Sequence, residues 1–126
     1  YDEGMIGYAE IFRNSHPKFV DRGLPGYIEP IAQIPDLIER GKKRVAHFHE
    51  KFNSRLADNE FVGGDSFSVA DITTITVVDF GLALEMPIPK SAPHVQRWYD
   101  MVNEREGVQL SRPRHLPDGT PVEQAA

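Results

Sequence analysis

The stretch VGGDSFSVADI at positions 62–72 decides the fold of this chain. Gly63 and Gly64 can adopt backbone angles that other residues avoid, so the chain can reverse sharply there. Ser68 is then well placed to cap a helix, because its hydroxyl can accept a hydrogen bond from a backbone N–H of the first turn. Asp71 can accept a hydrogen bond from the Ser68 N–H, which completes a capping box with Asp in place of Glu. The order of these features predicts a tight turn followed by a helix that begins at Ser68.

The residues after this cap predict a central, buried helix from about Ser68 to Glu85. Its apolar residues surround the helix instead of forming one stripe: Val69, Ala70, Ile72, Ile75, Val77, Val78, Phe80, Leu82, Ala83 and Leu84. A helix that is apolar on all sides has to be covered on all sides. The β-branched run from Ile72 to Val78 would also suit a strand, but the capping signature and a length of about 18 residues favour a helix.

The rest of the chain predicts helices with a single apolar face. A first helix should span about residues 1–16, where apolar side chains recur at steps of three and four and Pro17 disfavours helical geometry in the residue before it. A second should run from about Pro35 to Ala57. Gly41 falls in its apolar stripe, where we expect a helix crossing too close for a side chain. A further helix should span residues 93–107, with Pro at its start and Gly at its end.

These elements predict an all-α bundle organised around one central buried helix. We expect residues 1–107 to form this domain and residues 108–126, which contain three prolines and no apolar periodicity, to form a C-terminal tail. No turn precedes Tyr1, so we expect the first helix to start upstream of residue 1.

The amino-acid composition excludes several kinds of site and disfavours some classes of partner. The 126 residues include no cysteine, which excludes a disulfide framework, a thiolate nucleophile and a Cys-ligated metal. The net charge of −5 argues against a general surface for nucleic acid or for an anionic membrane. No apolar run approaches the roughly 20 residues that cross a bilayer. We therefore expect a cytoplasmic protein that binds neither nucleic acid nor membrane.

The residues GDSFSVAD at positions 64–71 resemble the Gly-Asp-x-Phe-Ser-x-Ala-Asp signature that opens the sixth helix of glutathione S-transferase C-terminal domains. The resemblance implies a helical domain that follows a thioredoxin-like domain, which is absent from this sequence. It also implies a homodimer that conjugates glutathione, as co-substrate, to a hydrophobic small-molecule electrophile. The group that activates the glutathione thiol and most glutathione contacts belong to the thioredoxin-like domain, so no catalytic residue is assigned here. The alternative is a non-catalytic helical module for protein–protein interaction.

Four residues of the first helix are candidates for the electrophile pocket. The resemblance places the inner face and C-terminal end of this helix opposite the sulfur of bound glutathione, which by position selects Tyr8, Phe12, Arg13 and His16. The alternative for Arg13 is structural, because a cation near the last carbonyls of a helix is stabilising.

The remaining polar residues favour structural roles. Asp71 could act as a general acid or base, but its spacing to Ser68 already accounts for it as a capping carboxylate. Asp79 and the threonines Thr73, Thr74 and Thr76 could line a pocket, or could bond across helices and to preceding carbonyls. His47 and His49 are two residues apart, which on a helix directs them to opposite faces, so the sequence predicts no metal site.

Overall fold

The computed structural model describes residues 1–112, and the regular secondary structure of this part of the chain is helical. It forms five α-helices: α1 (Asp2–Ser15), α2 (Asp36–Ala57), α3 (Val69–Ala83), α4 (Pro93–Asn103) and α5 (Glu106–Ser111). A single 3₁₀ turn at Pro17–Phe19 follows α1. Only two isolated β-bridges, and no strand, occur between residues 1 and 112. The predicted all-α bundle is confirmed, and the β-branched run of residues 72–78 is helical.

Helices α1 and α2 are the most extensively packed pair, and glycines allow them to approach closely. A Cβ atom added to Gly41 would lie 2.7 Å from the carbonyl oxygen of Gly7. A Cβ atom added to Gly7 would in turn lie 3.0 Å from the carbonyl oxygen of Gly41. Backbone therefore meets backbone at this crossing, as predicted for Gly41, and no larger residue fits without separating the helices.

The start of α3 is held by one buried carboxylate. The Ser68 N–H donates to Asp71 Oδ2 at 2.9 Å, and the Ala70 N–H donates to Ser68 Oγ at 3.3 Å, so both sides of the capping box are present. Asp71 Oδ1 accepts from the Val62 N–H at 2.9 Å and from Trp98 Nε1 at 2.8 Å. Asp71 is fully buried and thus links the glycine turn, α3 and α4.

Helix α3 is central but is not covered on every side. Six of its fifteen residues are buried, a higher share than the four of fourteen in α1, six of twenty-two in α2 or three of eleven in α4. Val69 and Ile72 are nevertheless 74% and 51% exposed. The prediction of a central buried helix is confirmed, whereas the expectation of coverage on all sides is wrong for this face within residues 1–112.

The predicted end of the fourth helix at Gly107 is also wrong. Helix α4 ends at Asn103, and Gly107 lies inside the six-residue α5. The break occurs because Arg105 takes an extended conformation, with φ −70° and ψ 127°, which places its guanidinium over the Phe67 ring. Helix α5 crosses the predicted domain boundary at residue 107, and Val108 packs against the core. The rest of the predicted tail, residues 113–126, lies outside the described residues.

Among residues 1–112, no helix combines the length and the apolar character needed to cross a membrane.

Candidate functional site

At the end of α1, three of the four predicted site residues, Phe12, Arg13 and His16, pack against Phe19. The Phe12 ring centroid lies 5.2 Å from the His16 ring and 5.0 Å from the Phe19 ring. Arg13 Cζ lies 4.9 Å from the centroid of Phe19, in a cation–π contact. We call Phe12, Arg13, His16 and Phe19 the α1-end cluster. Sequence reasoning missed Phe19 because it follows the helix, and only the 3₁₀ turn folds it back.

The backbone around this cluster is fixed by hydrogen bonds from the following loop. The Gln33 side chain donates to the carbonyl oxygens of Arg13 and His16, at 2.8 and 2.9 Å. The Ile34 N–H donates to Asn14 Oδ1 at 2.8 Å. Gln33 therefore satisfies the carbonyls of Arg13 and of the C-cap residue His16, while the Arg13 guanidinium lies over Phe19. Arg13 lies in the last turn of α1, so the alternative that its charge stabilises the helix end stays a prediction.

His16 is held in one ring orientation. Its Nδ1 accepts a hydrogen bond from the Lys18 N–H at 3.2 Å. An accepting Nδ1 places the proton of the neutral ring on Nε2, which leaves Nε2–H as a donor.

A cleft of about 490 Å³ opens beside the cluster. It is lined by Arg13, Phe19 and most of residues 20–30, which combine aliphatic and aromatic walls with both signs of charge. Within this loop, Asp21 and Gly26 have positive φ values of 57° and 83°. Phe12 and His16 do not line the cleft themselves, but both pack against Phe19, which does. The cleft is large enough for a small molecule with an apolar body.

Tyr8 lies apart from this cleft, in the interior. It is 1% exposed, and its hydroxyl is hydrogen-bonded to Nε2 of His49, itself 3% exposed, at 3.0 Å. Burial raises the pKa of Tyr8 to about 12 and lowers the pKa of His49 to about 4, so both are neutral at pH 7. The Tyr8 ring contacts Gly81 of α3, and a Cβ atom added at Gly81 would overlap that ring. Phe80 packs against both Tyr8 and Phe12 and so connects Tyr8 to the α1-end cluster.

The other polar candidates have partners or lie apart. Asp79 Oδ1 accepts from the Tyr99 hydroxyl at 2.6 Å and from Arg112 at 3.0 Å, so its charge is paired across helices. The hydroxyls of Thr73 and Thr76 donate to nearby carbonyls of their own helix. His47 is exposed while His49 is buried, as their spacing predicts. The described chain contains no group of three or more His, Asp or Glu side chains that could hold a metal ion.

Comparison with known families decides what this fold is. The family described as "Glutathione S-transferase, C-terminal domain" matches residues 16–106, well over half of the chain. The chain belongs to this family. The glutathione S-transferase C-terminal domain therefore includes α2, α3 and α4 in full, together with the loop that lines the cleft.

Relatives and solved structures agree with this assignment. Glutathione S-transferase 2 of Saccharomyces cerevisiae is 30% identical over 69 residues, which are 55% of this chain and 30% of the yeast protein. The probable elongation factor 1-gamma 2 of Arabidopsis thaliana is 40% identical over 60 residues, 45% of this chain and 14% of that protein. This glutathione S-transferase domain thus spans about a third or less of the length of these two proteins.

Two crystal structures share the fold. That of Gtt2 from Saccharomyces cerevisiae superposes with a TM-score of 0.71 at 23% identity, over 86% of this chain and 51% of Gtt2. A class Gtt2 glutathione S-transferase of Vibrio parahaemolyticus gives a TM-score of 0.63 at 25% identity, over 85% of this chain and 44% of that protein. The domain matches about half of each.

Proposed function

We propose that this domain forms the electrophile-binding half of a glutathione transferase site. The observation that carries the proposal is the α1-end cluster beside its cleft of about 490 Å³. Apolar walls suit a hydrophobic electrophile, and glutathione is bound mainly by the thioredoxin-like domain that the family resemblance implies. The reaction is attack of the glutathione thiolate on an electrophilic carbon, in which a carbon–sulfur bond forms and the bond to the leaving group breaks, so that the leaving group (chloride for a chloroarene) departs with the bonding electron pair.

The cluster can contribute binding and electrostatics to this reaction, but not thiol activation. Negative charge develops on the electrophile as the thiolate attacks it, and a fixed cation nearby stabilises that charge. Arg13 is such a cation, because its guanidinium is held over Phe19. His16 Nε2–H is a second donor at the same end of α1, since Nδ1 is occupied by the Lys18 N–H.

A conjugation assay with 1-chloro-2,4-dinitrobenzene tests this assignment in the complete enzyme. We expect Phe19→Ala to raise KM for the chloroarene about tenfold, because an apolar wall of the cleft is lost, with little change in KM for glutathione. Arg13→Gln should lower kcat, whereas Lys18→Gln, which removes an exposed cation of the following 3₁₀ turn, should leave it unchanged. An effect of both cluster variants on KM for glutathione, with KM for the chloroarene unchanged, would refute the proposal.

We also propose that the cytoplasmic enzyme is a homodimer through the outer face of α1 around Ile6. Support comes from the large apolar side chains Ile6 and Ile34, which are exposed there, line one groove together with Leu37 and lie outside the cleft proposed for the electrophile. Exposed apolar side chains that lie together in this way are typical of an interaction surface. Sedimentation equilibrium should show a dimer for the wild type and a monomer for Ile6→Glu, with Glu29→Gln as the control. A dimer that persists in Ile6→Glu and in Ile34→Glu would exclude this face.

The similarity to the elongation factor supports a second candidate, a non-catalytic interaction module. It is the weaker candidate because the family match and the other relatives are glutathione S-transferases. The same assay separates the two, since a module that only binds partners has no conjugation activity to lose.

A further inference from the structure

A groove of about 450 Å³ lies between α2 and the segment that joins α3 to α4. One wall is a single stripe of α2, and the other is the turn that precedes α4. The lining residues are Ala46, His49, Glu50, Asn53 and Ser54 on α2, and Pro89, Ser91 and Ala92 on the turn. We call this cavity the α2–α4 groove. It shares no residue with the cleft beside the α1-end cluster.

His49 lies at the base of the groove and directs one ring nitrogen towards it. Its Nε2 is hydrogen-bonded to the hydroxyl of Tyr8, which lies in the interior and does not line the groove. Its Nδ1 is buried and has no hydrogen-bond partner among residues 1–112. The two nitrogens of an imidazole point in diverging directions on either side of Cε1. Nδ1 is therefore directed away from Tyr8, towards the groove.

The hydrogen-bond count assigns a proton to His49 Nδ1. Burial lowers the pKa of His49 to about 4, so the ring carries a single N–H at pH 7. If the Tyr8 hydroxyl donates to Nε2, only Nδ1–H is left without a partner. If Nε2–H donates instead, both the Tyr8 O–H and the lone pair of Nδ1 are left without one. Unpaired buried polar groups are costly, so the first arrangement is favoured and Nδ1–H is a donor towards the groove.

Asn53 supplies a second donor on the same face of α2, one turn after His49. Its Oδ1 accepts from the His94 N–H at 2.9 Å, in the first turn of α4. This bond fixes the orientation of the side-chain amide, and Nδ2 forms no hydrogen bond with any group in residues 1–112. Both donors are thus held in place before a ligand arrives, which lowers the entropic cost of binding.

The rim of the groove decides which kind of oxygen compound fits these donors. Glu50 is an exposed carboxylate on this rim, and it disfavours a second negative charge. The Glu50 carboxylate and the hydroxyl of the exposed Ser91 on the opposite wall can instead accept hydrogen bonds from a ligand. We propose that the α2–α4 groove binds small primary carboxamides.

A primary carboxamide matches the groove in both of its polar functions. Its carbonyl oxygen accepts from His49 Nδ1–H and Asn53 Nδ2–H. Its N–H groups donate to the rim at Glu50, and its apolar body lies against Pro89. A carboxylate of the same shape has no N–H group for the rim and adds a charge that Glu50 repels.

Benzamide and benzoate differ in this one group and serve as probes. In a heteronuclear NMR titration of the full chain at pH 7, benzamide should shift the backbone amide signals of Ser91 and Ala92 in a saturable manner. The signal of Gly26, which lines the other cleft, should not move. Benzoate should bind at least about tenfold more weakly, because it loses the hydrogen bonds to the rim.

Asn53→Asp isolates the donor, because it keeps the oxygen that accepts from the His94 N–H and removes the N–H groups. It should fold, since a carboxylate near the start of a helix is favourable, and should raise Kd for benzamide at least about tenfold. Asn59→Asp makes the same change in charge outside the groove and should leave this Kd unchanged. Glu50→Gln keeps an accepting oxygen without the charge, so it should lower Kd for benzoate and barely change Kd for benzamide.

Circular dichroism should show all three variants folded. The proposal is overturned if the benzamide shifts do not saturate, if benzoate binds the wild type as tightly as benzamide, or if Asn53→Asp leaves Kd for benzamide unchanged. Equal weakening by Asn53→Asp and Asn59→Asp also overturns it, because the loss then follows net charge. If Asn53→Asp does not fold, an unchanged Kd of Glu50→Gln for benzoate overturns the proposal by itself.

Discussion

Replacement of Tyr8 by Phe removes a single oxygen atom from the interior, and the structure allows its cost to be worked out. The Tyr8 hydroxyl and His49 Nε2 are 3.0 Å apart, and both side chains are almost fully buried. Nδ1 of His49 already has no hydrogen-bond partner among the described residues. The substitution would leave both ring nitrogens without one. An unsatisfied buried polar group costs about 1–3 kcal/mol, and Phe leaves almost no cavity.

We therefore expect Tyr8→Phe to lower the free energy of unfolding by about 1–3 kcal/mol, although the substitution makes the interior more apolar. Urea unfolding at pH 7 measures this, with an unchanged slope against denaturant showing that the unfolded state is unaffected. Tyr27→Phe is the matched control, because Tyr27 is well exposed and should change stability by less than about 0.5 kcal/mol. Equal stability of Tyr8→Phe and wild type would refute the view that this hydrogen bond satisfies a buried imidazole.

Three further substitutions test other contacts. Burial lowers the folded-state pKa of His49 from 6.5 to about 4, so the stability that neutral His49 contributes is present above pH 6.5 and is lost as the pH falls towards 4, a loss of about 3 kcal/mol. In urea unfolding, the free energy of unfolding of a His49→Gln variant should therefore decline less steeply from pH 7 to pH 4 than that of the wild type. An equal decline in both proteins would contradict the assignment. Gly41→Ala should lower the Tm despite the better helix propensity of Ala, because the new Cβ would lie 2.7 Å from the Gly7 carbonyl oxygen; an increase in Tm would mean that the helices separate freely. Asp71→Ala should cost about 2–4 kcal/mol in urea unfolding, because a cap is lost and the Trp98 N–H is left unpaired; a loss of activity at unchanged stability would instead indicate a catalytic role.

The sequence alone determined the features that depend on neighbours within one helical turn. Ser68 and Asp71 are three residues apart, so their capping box needs no other part of the molecule. Pro17 ends α1, and Pro93 begins α4, because proline restricts the backbone wherever it occurs. The apolar periodicity of residues 36–57 likewise predicts α2 from local geometry. A glycine within that apolar stripe also predicts the close helix crossing at Gly41.

Only the tertiary structure decided which distant side chains meet. Tyr8 and His49 are 41 residues apart, and Asp71 and Trp98 are 27 apart, so each hydrogen bond depends on how the helices cross. Phe19 joins the α1-end cluster because the 3₁₀ turn at Pro17–Phe19 folds back against the end of α1. In the sequence, Tyr8 and Phe12 lie on one apolar stripe of α1, but the spacing alone does not determine which part of that stripe the other helices cover. Packing of α2 and α3 against α1 buries Tyr8 and leaves Arg13 beside the cleft.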